Sequence, residues 1–401
     1  MTSNNQLFSA VELAPRDPIL GLNESFNADP NPGKVNLGIG VYLNDDGKIP
    51  LMQAVEIVQK ARLNSTAAHS YLPIDGLVSY NLAVKKLLFK EDLEALNDSI
   101  LTVQTLGGTG GIKVGADFLK TIMPGLVVAI SNPTWENHRA IFEFCGFKVV
   151  EYSYYDQNKH DLNFDNMVES LNLLPRNSIV LLHACCHNPT GIDLSASQWN
   201  KVIDICQAKD FVPFIDMAYQ GFANGLKEDS EVISKFIKSG LTFLIANSFS
   251  KTFSLYGQRV GALSIVTKNA NQAKAVLSQI KRIIRTNYSN PPAYGASLIS
   301  DILNSNELYK IWQNELDEMR HRIKLMRQNF TASLEKLCPN HDFSFINAQN
   351  GMFSYSGLSS NQVDKLMKEH GIYALSTGRI CVAALTSKNI DIVTNAIKSV
   401  I

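Results

Sequence analysis

A chain of 401 residues is too long for one compact core, so two domains, or one large domain with a satellite, are expected. Its 45% hydrophobic and 18% charged content is ordinary for a soluble globular chain, and no apolar run reaches the length that spans a bilayer. Lys plus Arg and Asp plus Glu balance at 37 each, which argues against nucleic acid or an anionic membrane as the main partner, since both select a basic surface.

Residues 1–14 read as an N-terminal arm without strong periodicity. They lack a basic stretch followed by an apolar core, so no secretory signal is expected and the chain reads as cytoplasmic. Breakers follow at Pro15 and Pro18, and turn formers cluster over residues 27–33. An extended segment then carries Gly38, Gly40 and a hairpin-like Asp46-Gly47. Its two glycines serve either turn chemistry or a close approach of backbone to a ligand. Helical periodicity starts near Leu51, breaks over residues 69–76 and resumes over residues 78–89. A short strand at 101–103 leads into Gly107-Gly108-Thr109-Gly110-Gly111, and a helix is expected from Ile112. A glycine-rich turn opening a helix is a natural anion site, because free N–H groups and the positive end of the dipole face outward. It fails as a dinucleotide fingerprint, which needs glycine where Lys113 stands, and no P-loop is present.

From here strand and helix alternate. Apolar runs at 126–131, 148–154, 178–184, 211–216, 241–247 and 260–266 read as strands, with helical stretches between most of them. That pattern predicts a mostly parallel sheet covered by helices on both faces. Five runs stop at polar or special residues: at Asn132-Pro133-Thr134-Trp135, at His187-Asn188-Pro189-Thr190-Gly191, at Asp216, at Lys251 and, less clearly, at Tyr155-Asp156. A helix should then run to near Pro291, carrying Lys281, Arg282 and Arg285 as a basic patch. A long helix is expected over residues 306–337, with Arg320, Arg322 and Arg327 solvated, and residues 338–401 read as a compact α+β unit. The six cysteines lie in apolar surroundings without metal-ligand spacing, so buried thiols in a reducing cytosol are expected, and no metal.

The segment 241–261 draws these features together. Its apolar half suits a strand buried on both faces of a parallel sheet, and it turns polar at Asn247-Ser248-Phe249-Ser250-Lys251. Lys251 therefore falls just past a strand's end, at the edge where α/β sheets bind ligands. Ser248 and Ser250 flank it and Arg259 follows. Hydroxyls and a guanidinium suit a phosphate, and an amine suits an aldehyde, so the loop fits a phosphate-bearing aldehyde cofactor held as a Schiff base.

The spacing S-x-S-K-x-x-x-L-x-x-x-R-x-G resembles the pyridoxal-phosphate lysine signature of class I aminotransferases, closest to the aspartate/aromatic amino acid branch. The resemblance extends from about Phe8 to the C-terminus, with the motifs in the family's order. It implies the fold type I of pyridoxal-phosphate-dependent transferases: an α/β large domain at 48–318, a smaller α+β domain from 15–47 and 319–401, and an arm at 1–14. It also implies roles. Lys251 would carry pyridoxal 5'-phosphate and act as the base; Asp216, with His138 behind it, would pair the ring nitrogen; Tyr219 and Asn188 would bond the phenolic oxygen; Trp135 would stack on the ring. Gly108, Thr109, Ser248, Ser250 and Arg259 would hold the phosphate, joined by Tyr71 from a neighbouring subunit of a homodimer with shared active sites. Arg379 would grip the substrate α-carboxylate, Arg285 a distal carboxylate across the dimer, and Gly40, Trp135 and Asn188 would line the substrate.

The implied reaction exchanges an amino group between an amino acid and a 2-oxo acid such as 2-oxoglutarate. Leu43 and Ile49 are more apolar than the aspartate-selective pattern, whereas Asn290 and Thr109 match it, so dual aspartate/aromatic specificity is expected. Two rivals stand beside this reading: a pyridoxal-phosphate lyase or synthase, against which Arg285 argues, and a non-catalytic scaffold, against which Lys251, Asp216, Tyr219 and both arginines argue together.

Overall fold

The computed structural model describes residues 8–63, 70–90 and 92–401. Part of the arm (1–7) and His69 lie outside the described residues. The central sheet has seven strands: β1 (Ile100–Leu106), β2 (Val127–Asn132), β3 (Lys148–Ser153), β4 (Ile179–His183), β5 (Val212–Met217), β6 (Phe243–Ser248) and β7 (Val260–Val266). Their spatial order is β1-β7-β6-β5-β4-β2-β3. Only β7 runs against its neighbours; every other pairing in the sheet is parallel.

Alternation along each strand feeds two cores. Ile179 and Leu181 of β4 point to one face, and Val180 and Leu182 to the other. On the first face they meet helices Gly107–Ile122, Glu136–Phe144 and Ala270–Asn287 through residues such as Phe118, Phe142 and Ile280. On the second, helices Ala196–Ala208 and Glu231–Lys238 supply Trp199, Val202 and Phe236. With both faces covered, β4, β6 and β7 are buried along their whole length, which is why they read as unbroken apolar runs.

Helix Asn306–Leu337 leads away from this sheet to smaller elements. There Val35–Asn36 pairs in parallel with Ile372–Tyr373, and Phe353–Tyr355 pairs antiparallel with Arg379–Cys381. Helix Ser360–His370 opens on a Ser359/Gln362 capping box and closes at Gly371 with φ 67°.

Several boundaries differ from expectation. The strand foreseen at 101–103 spans seven residues, because it pairs with β7 over its full length. The following helix begins at Gly107, inside the glycine run. The helix expected to reach Pro291 ends at Asn287, where Ser289 at φ 70° turns the chain before the prolines.

The larger correction concerns charge. Arg320 and Arg327, read as solvated, are 8% and 2% exposed, and Arg322 is half-buried over the Tyr42 ring. Arg327 donates to the carbonyls of Gly351 and Phe353 and to Ser354 Oγ, and Arg320 to the Gly221 carbonyl. Turns packed against the long helix leave carbonyls that need donors, and a guanidinium supplies several from one side chain. None of the six cysteines is bridged, and all but Cys145 are buried.

Candidate active site at the strand ends

The carboxyl ends of β1, β2, β4, β5 and β6 lie along one edge of the sheet, and each leads into a loop bearing functional groups. Because β7 is antiparallel, it begins where its neighbours end, with Val260 opposite Leu106 and Gly261 opposite Ser248. Arg259 is thereby brought to the same edge as Lys251. A cavity of about 300 Å³ opens there. Its lining includes Gly40, Gly108, Thr109, Trp135, Asn188, Asp216, Tyr219, Ser248, Ser250, Lys251, Arg259 and Arg379. Twelve residues singled out from sequence thus meet in one place.

At one end of the cavity, the N-terminus of helix Gly107–Ile122 faces the serines. Ser248 Oγ lies 3.2 Å from Ser250 Oγ, and Arg259 Nη1 donates to Ser250 Oγ at 3.3 Å. A Cβ on Gly107 would stand 2.5 Å from Arg259 Nη2, and one on Gly108 would stand 3.0 Å from Ser248 Cβ. Glycine therefore lets helix-start backbone approach these donors, which together make an anion cradle.

Asp216 is the next-to-last residue of β5 and is 6% exposed. His138, fully buried, sets its Nε2 3.0 Å from Asp216 Oδ2, while its Nδ1 lies 2.8 Å from Thr134 Oγ1. Burial pushes the Asp216 carboxyl up, but the His138 hydrogen bond, with the charges of His138 and Lys251, outweighs it and holds the group below its usual value. The site thus keeps an ionised carboxylate at the cavity floor.

Lys251 is half-buried, with Nζ 4.9 Å from the centre of the Tyr219 ring. Burial, with the Arg259 and Arg379 charges and against that of Asp216, lowers its amine to about 8. Burial also raises the Tyr219 hydroxyl, so it stays a donor.

Across the cavity, Arg379 is 1% exposed. Nη1 donates to Asn188 Oδ1 at 3.1 Å and Nη2 to the Gly38 carbonyl at 2.6 Å, and the guanidinium sits 4.1 Å above the Phe353 ring. Its Nε is buried without a partner among the described residues. Gly40 lines the cavity, but what crowds it is protein: a Cβ there would stand 2.7 Å from Phe353 Cζ.

His138 sits behind Asp216 and not in the lining, Leu43, Ile49 and Asn290 are outside it as well, and two further expected residues lie at the surface. Tyr71 is 90% exposed, and Arg285 is exposed and hydrogen-bonded to Ser289 Oγ. Within one chain neither reaches the cavity lining.

Sequence reasoning missed Ile19, Ile39, Tyr256 and Phe353 in the lining, and His183 beneath it. Phe353 and Ile39 carry no motif; only their place after the fold forms reveals them. His183, 5.1 Å between ring centres from His138, is driven down to about 3 by burial first and by the His138 charge. It stays neutral, and both its nitrogens lack partners among the described residues.

A family model for class I and II aminotransferases matches residues 32–397. The chain belongs to that family. Among curated relatives of this aminotransferase, an aspartate aminotransferase of Pseudomonas aeruginosa is 56% identical over 396 residues, covering 98% of this chain and all of that one. An aromatic-amino-acid aminotransferase of Escherichia coli is 47% identical with the same coverage. Among solved structures, an aromatic-amino-acid aminotransferase from Burkholderia pseudomallei, covalently bound to pyridoxal phosphate, superposes with a TM-score of 0.95 at 56% identity. It covers 98% of this chain and 99% of its own. A psychrophilic aromatic amino acid aminotransferase from Psychrobacter sp. B6, cocrystallised with aspartic acid, also reaches 0.95, at 41% identity and covering 98% and 99%. This aminotransferase has their α/β fold, the fold type I of pyridoxal-phosphate-dependent transferases.

Proposed function

We propose that this aminotransferase exchanges an amino group between aspartate or an aromatic amino acid and 2-oxoglutarate, using pyridoxal 5'-phosphate held at Lys251. The observation that carries the reading is one cavity in which a lysine lowered to about 8 faces an ionised Asp216 and the Ser248, Ser250 and Arg259 cradle. The relatives named for both substrate classes support dual specificity.

The residues fit the cofactor. The glycine-backed cradle with Thr109 suits a phosphate, Lys251 an aldehyde, Asp216 a ring nitrogen, and Tyr219 and Asn188 a phenolic oxygen, with Trp135 available to a ring face. When bound, this group supplies an electron sink that acidifies the substrate's Cα–H bond. The chain's own residues do the rest. Asp216, kept ionised by His138, holds a proton on the ring nitrogen. Arg379 orients the substrate through its α-carboxylate, so that the Cα–H bond faces Lys251. Lys251 Nζ takes that proton; at a value near 8, roughly a tenth of the free amine is neutral at pH 7, against less than a thousandth for an ordinary lysine.

The assembly belongs to the same proposal. Ile57, Leu63, Val78, Leu82 and Tyr294 leave an exposed apolar face on the helical layer formed by Gln53–Arg62, Val78–Phe89 and Ala293–Asn304, which supports a homodimer. Tyr71 and Arg285 would then serve the partner's cavity: Tyr71 at the phosphate, Arg285 at a distal substrate carboxylate. Pairing of residues 35–36 with 372–373 supports a small domain made of 15–47 and 319–401, beside a large domain at 48–318. The reading also includes a cytoplasmic location.

The test is to supply pyridoxal phosphate to the full chain, follow 2-oxo acid formation from aspartate and from phenylalanine with 2-oxoglutarate, and reduce with borohydride. Turnover with both, and a pyridoxyl group on Lys251, are expected. A loaded protein that transaminates neither amino acid overturns the proposal.

A further inference from the structure

Asn188 has to be aimed: its Oδ1 meets Arg379 and its amide faces the cavity, yet it sits in a loop rather than on a strand. What aims it lies behind the cavity. The loop leaves β4 through Cys186, whose φ of 51° is unusual for a residue with a side chain. That turn points two successive N–H groups at one carboxylate. Cys186 N donates to Asp193 Oδ2 at 2.9 Å and His187 N to Asp193 Oδ1 at 2.9 Å, one bond to each oxygen. Such a nest holds an anion well, and here the anion is part of the chain. Asn350 Nδ2 adds a third bond to Oδ2 at 3.2 Å, and Asn350 N bonds the Gly191 carbonyl at 2.6 Å.

The packing leaves little other freedom. A Cβ on Gly351 would stand 2.4 Å from Cys186 Cβ, and one on Gly191 would stand 2.9 Å from Gln349 Cβ. A backbone in the left-handed region persists only where its surroundings over-determine it, and the Asp193 carboxylate is the polar part of that determination. Burial drives Asp193 up to about 6, with the nearby Asp229 charge acting the same way, and the two N–H bonds and Asn350 oppose the rise. A carboxylate kept in such a place at a cost has work to do.

We propose that Asp193 is a positioning residue for the reaction: its carboxylate fixes the backbone of residues 186–188 and thereby sets the reach of Asn188 to Arg379 and into the cavity. The inference rests on the roles read above for Asn188 and Arg379. Asp193 touches neither substrate nor cofactor; its influence passes through Asn188.

A double-mutant cycle tests it. Asp193→Asn keeps the shape but turns a donor toward one of the two N–H groups. In the full chain it is expected to lower kcat/KM on the order of tenfold for aspartate and phenylalanine alike. It should raise the dissociation constant of pyridoxal phosphate for the cofactor-stripped chain by a similar factor. In an Asn188→Ala background the same substitution should change both quantities by less than about twofold, since nothing is left to aim. Losses that multiply across the two sites overturn the proposal, as does a silent Asp193→Asn. If thermal unfolding shows that Asp193→Asn does not fold, Asn350→Ala, which removes only the 3.2 Å bond, takes its place with the same two criteria. A silent Asn188→Ala would instead remove the assigned role of Asn188, and this proposal with it, while leaving the transaminase reading to its own test.

Discussion

Replacing Arg379 with alanine removes a guanidinium that the protein holds in place before any substrate arrives. The group is 1% exposed, tied through Nη1 to Asn188 and through Nη2 to Gly38, and backed by the Phe353 ring. Among the described residues its hydrogen bonds go to an amide and a carbonyl oxygen and it forms no ion pair, which fits the proposed role of gripping a substrate carboxylate. Truncating one partner of a desolvated, hydrogen-bonded charge pair costs about 2–5 kcal/mol. Little reorganisation is needed on binding here, which favours about 3–5 kcal/mol, or roughly a hundred- to several-thousand-fold in kcat/KM. Arg379→Lys keeps the charge but not the fork, and should lose about 2–3 kcal/mol. Fold stability should move by less than about 2 kcal/mol, because two orphaned oxygens are offset by the removal of a buried, unpaired cation. The assay is kcat/KM for aspartate and for phenylalanine, with denaturant unfolding as the control. Both substrates present the same α-carboxylate, so their losses should agree within about threefold. A loss confined to one of them, in a variant that unfolds like the parent, refutes the assignment.

Arg285→Ala should behave in the opposite way, costing aspartate about 2–5 kcal/mol in single-turnover rates while changing phenylalanine by less than about tenfold; equal losses would remove Arg285 from selectivity. Co-expression of Lys251→Ala with Arg285→Ala should yield hybrid dimers with one intact site and aspartate activity well above either variant alone, and verified hybrids without it would count against shared sites. In the cofactor-free chain the Lys251 amine is neutral above its value of about 8, so labelling by an amine-directed acylating reagent should rise with pH and reach half its limit near 8. A midpoint near the ordinary lysine value of about 10.4 would contradict the burial argument. Arg327→Leu leaves the Gly351 and Phe353 carbonyls without that donor and should destabilise the fold by about 2–4 kcal/mol in denaturant unfolding; a change under about 0.5 kcal/mol would show that the buried guanidinium is dispensable.

Much of the site could be read from the chain because of how an α/β sheet is built. Strands buried on both faces must be apolar along most of their length, so the polar residues that close each run mark the carboxyl edge, and Trp135, Asn188, Asp216 and Lys251 all lie at or within a few residues of such a strand end. Arg259 obeys a different one: it precedes a strand, and it joins the others only because β7 is antiparallel. No local pattern distinguishes that direction; what was legible was its nearness along the chain to Ser248, Ser250 and Lys251, and the family resemblance agreed. Phe353 and Gly38 were not legible as partners of Arg379, since they lie 26 and 341 residues from it along the chain. Tyr71 and Arg285 were legible as motif residues, yet a single chain leaves them at its surface.

The buried arginines show where residue type stops being informative. Arg320 and Arg327 carry charge, yet in this helix of 32 residues they follow Leu316 and Ile323 by four positions and so share the face of its apolar stripe. Their burial is decided by what packs there. Gly221 comes from the loop after β5, Phe353 and Ser354 come from the strand that also supports Arg379, and Gly351 from the turn just before it. Arg327 therefore grips the strand Phe353–Tyr355, which pairs with Arg379–Cys381 in the register Tyr355 to Arg379. One buried cation is thus hydrogen-bonded to the strand that pairs with the other's. A solvated reading of Arg327 would make it indifferent to catalysis, whereas its hydrogen bonds to the paired strand predict that Arg379 depends on it. A variant such as Arg327→Leu that still folds should then bind substrate carboxylates less well, with KM raised for aspartate and phenylalanine together and kcat changed less. An unchanged KM in such a variant would mean that the strand holds its register without the arginine, and that burial here serves stability alone.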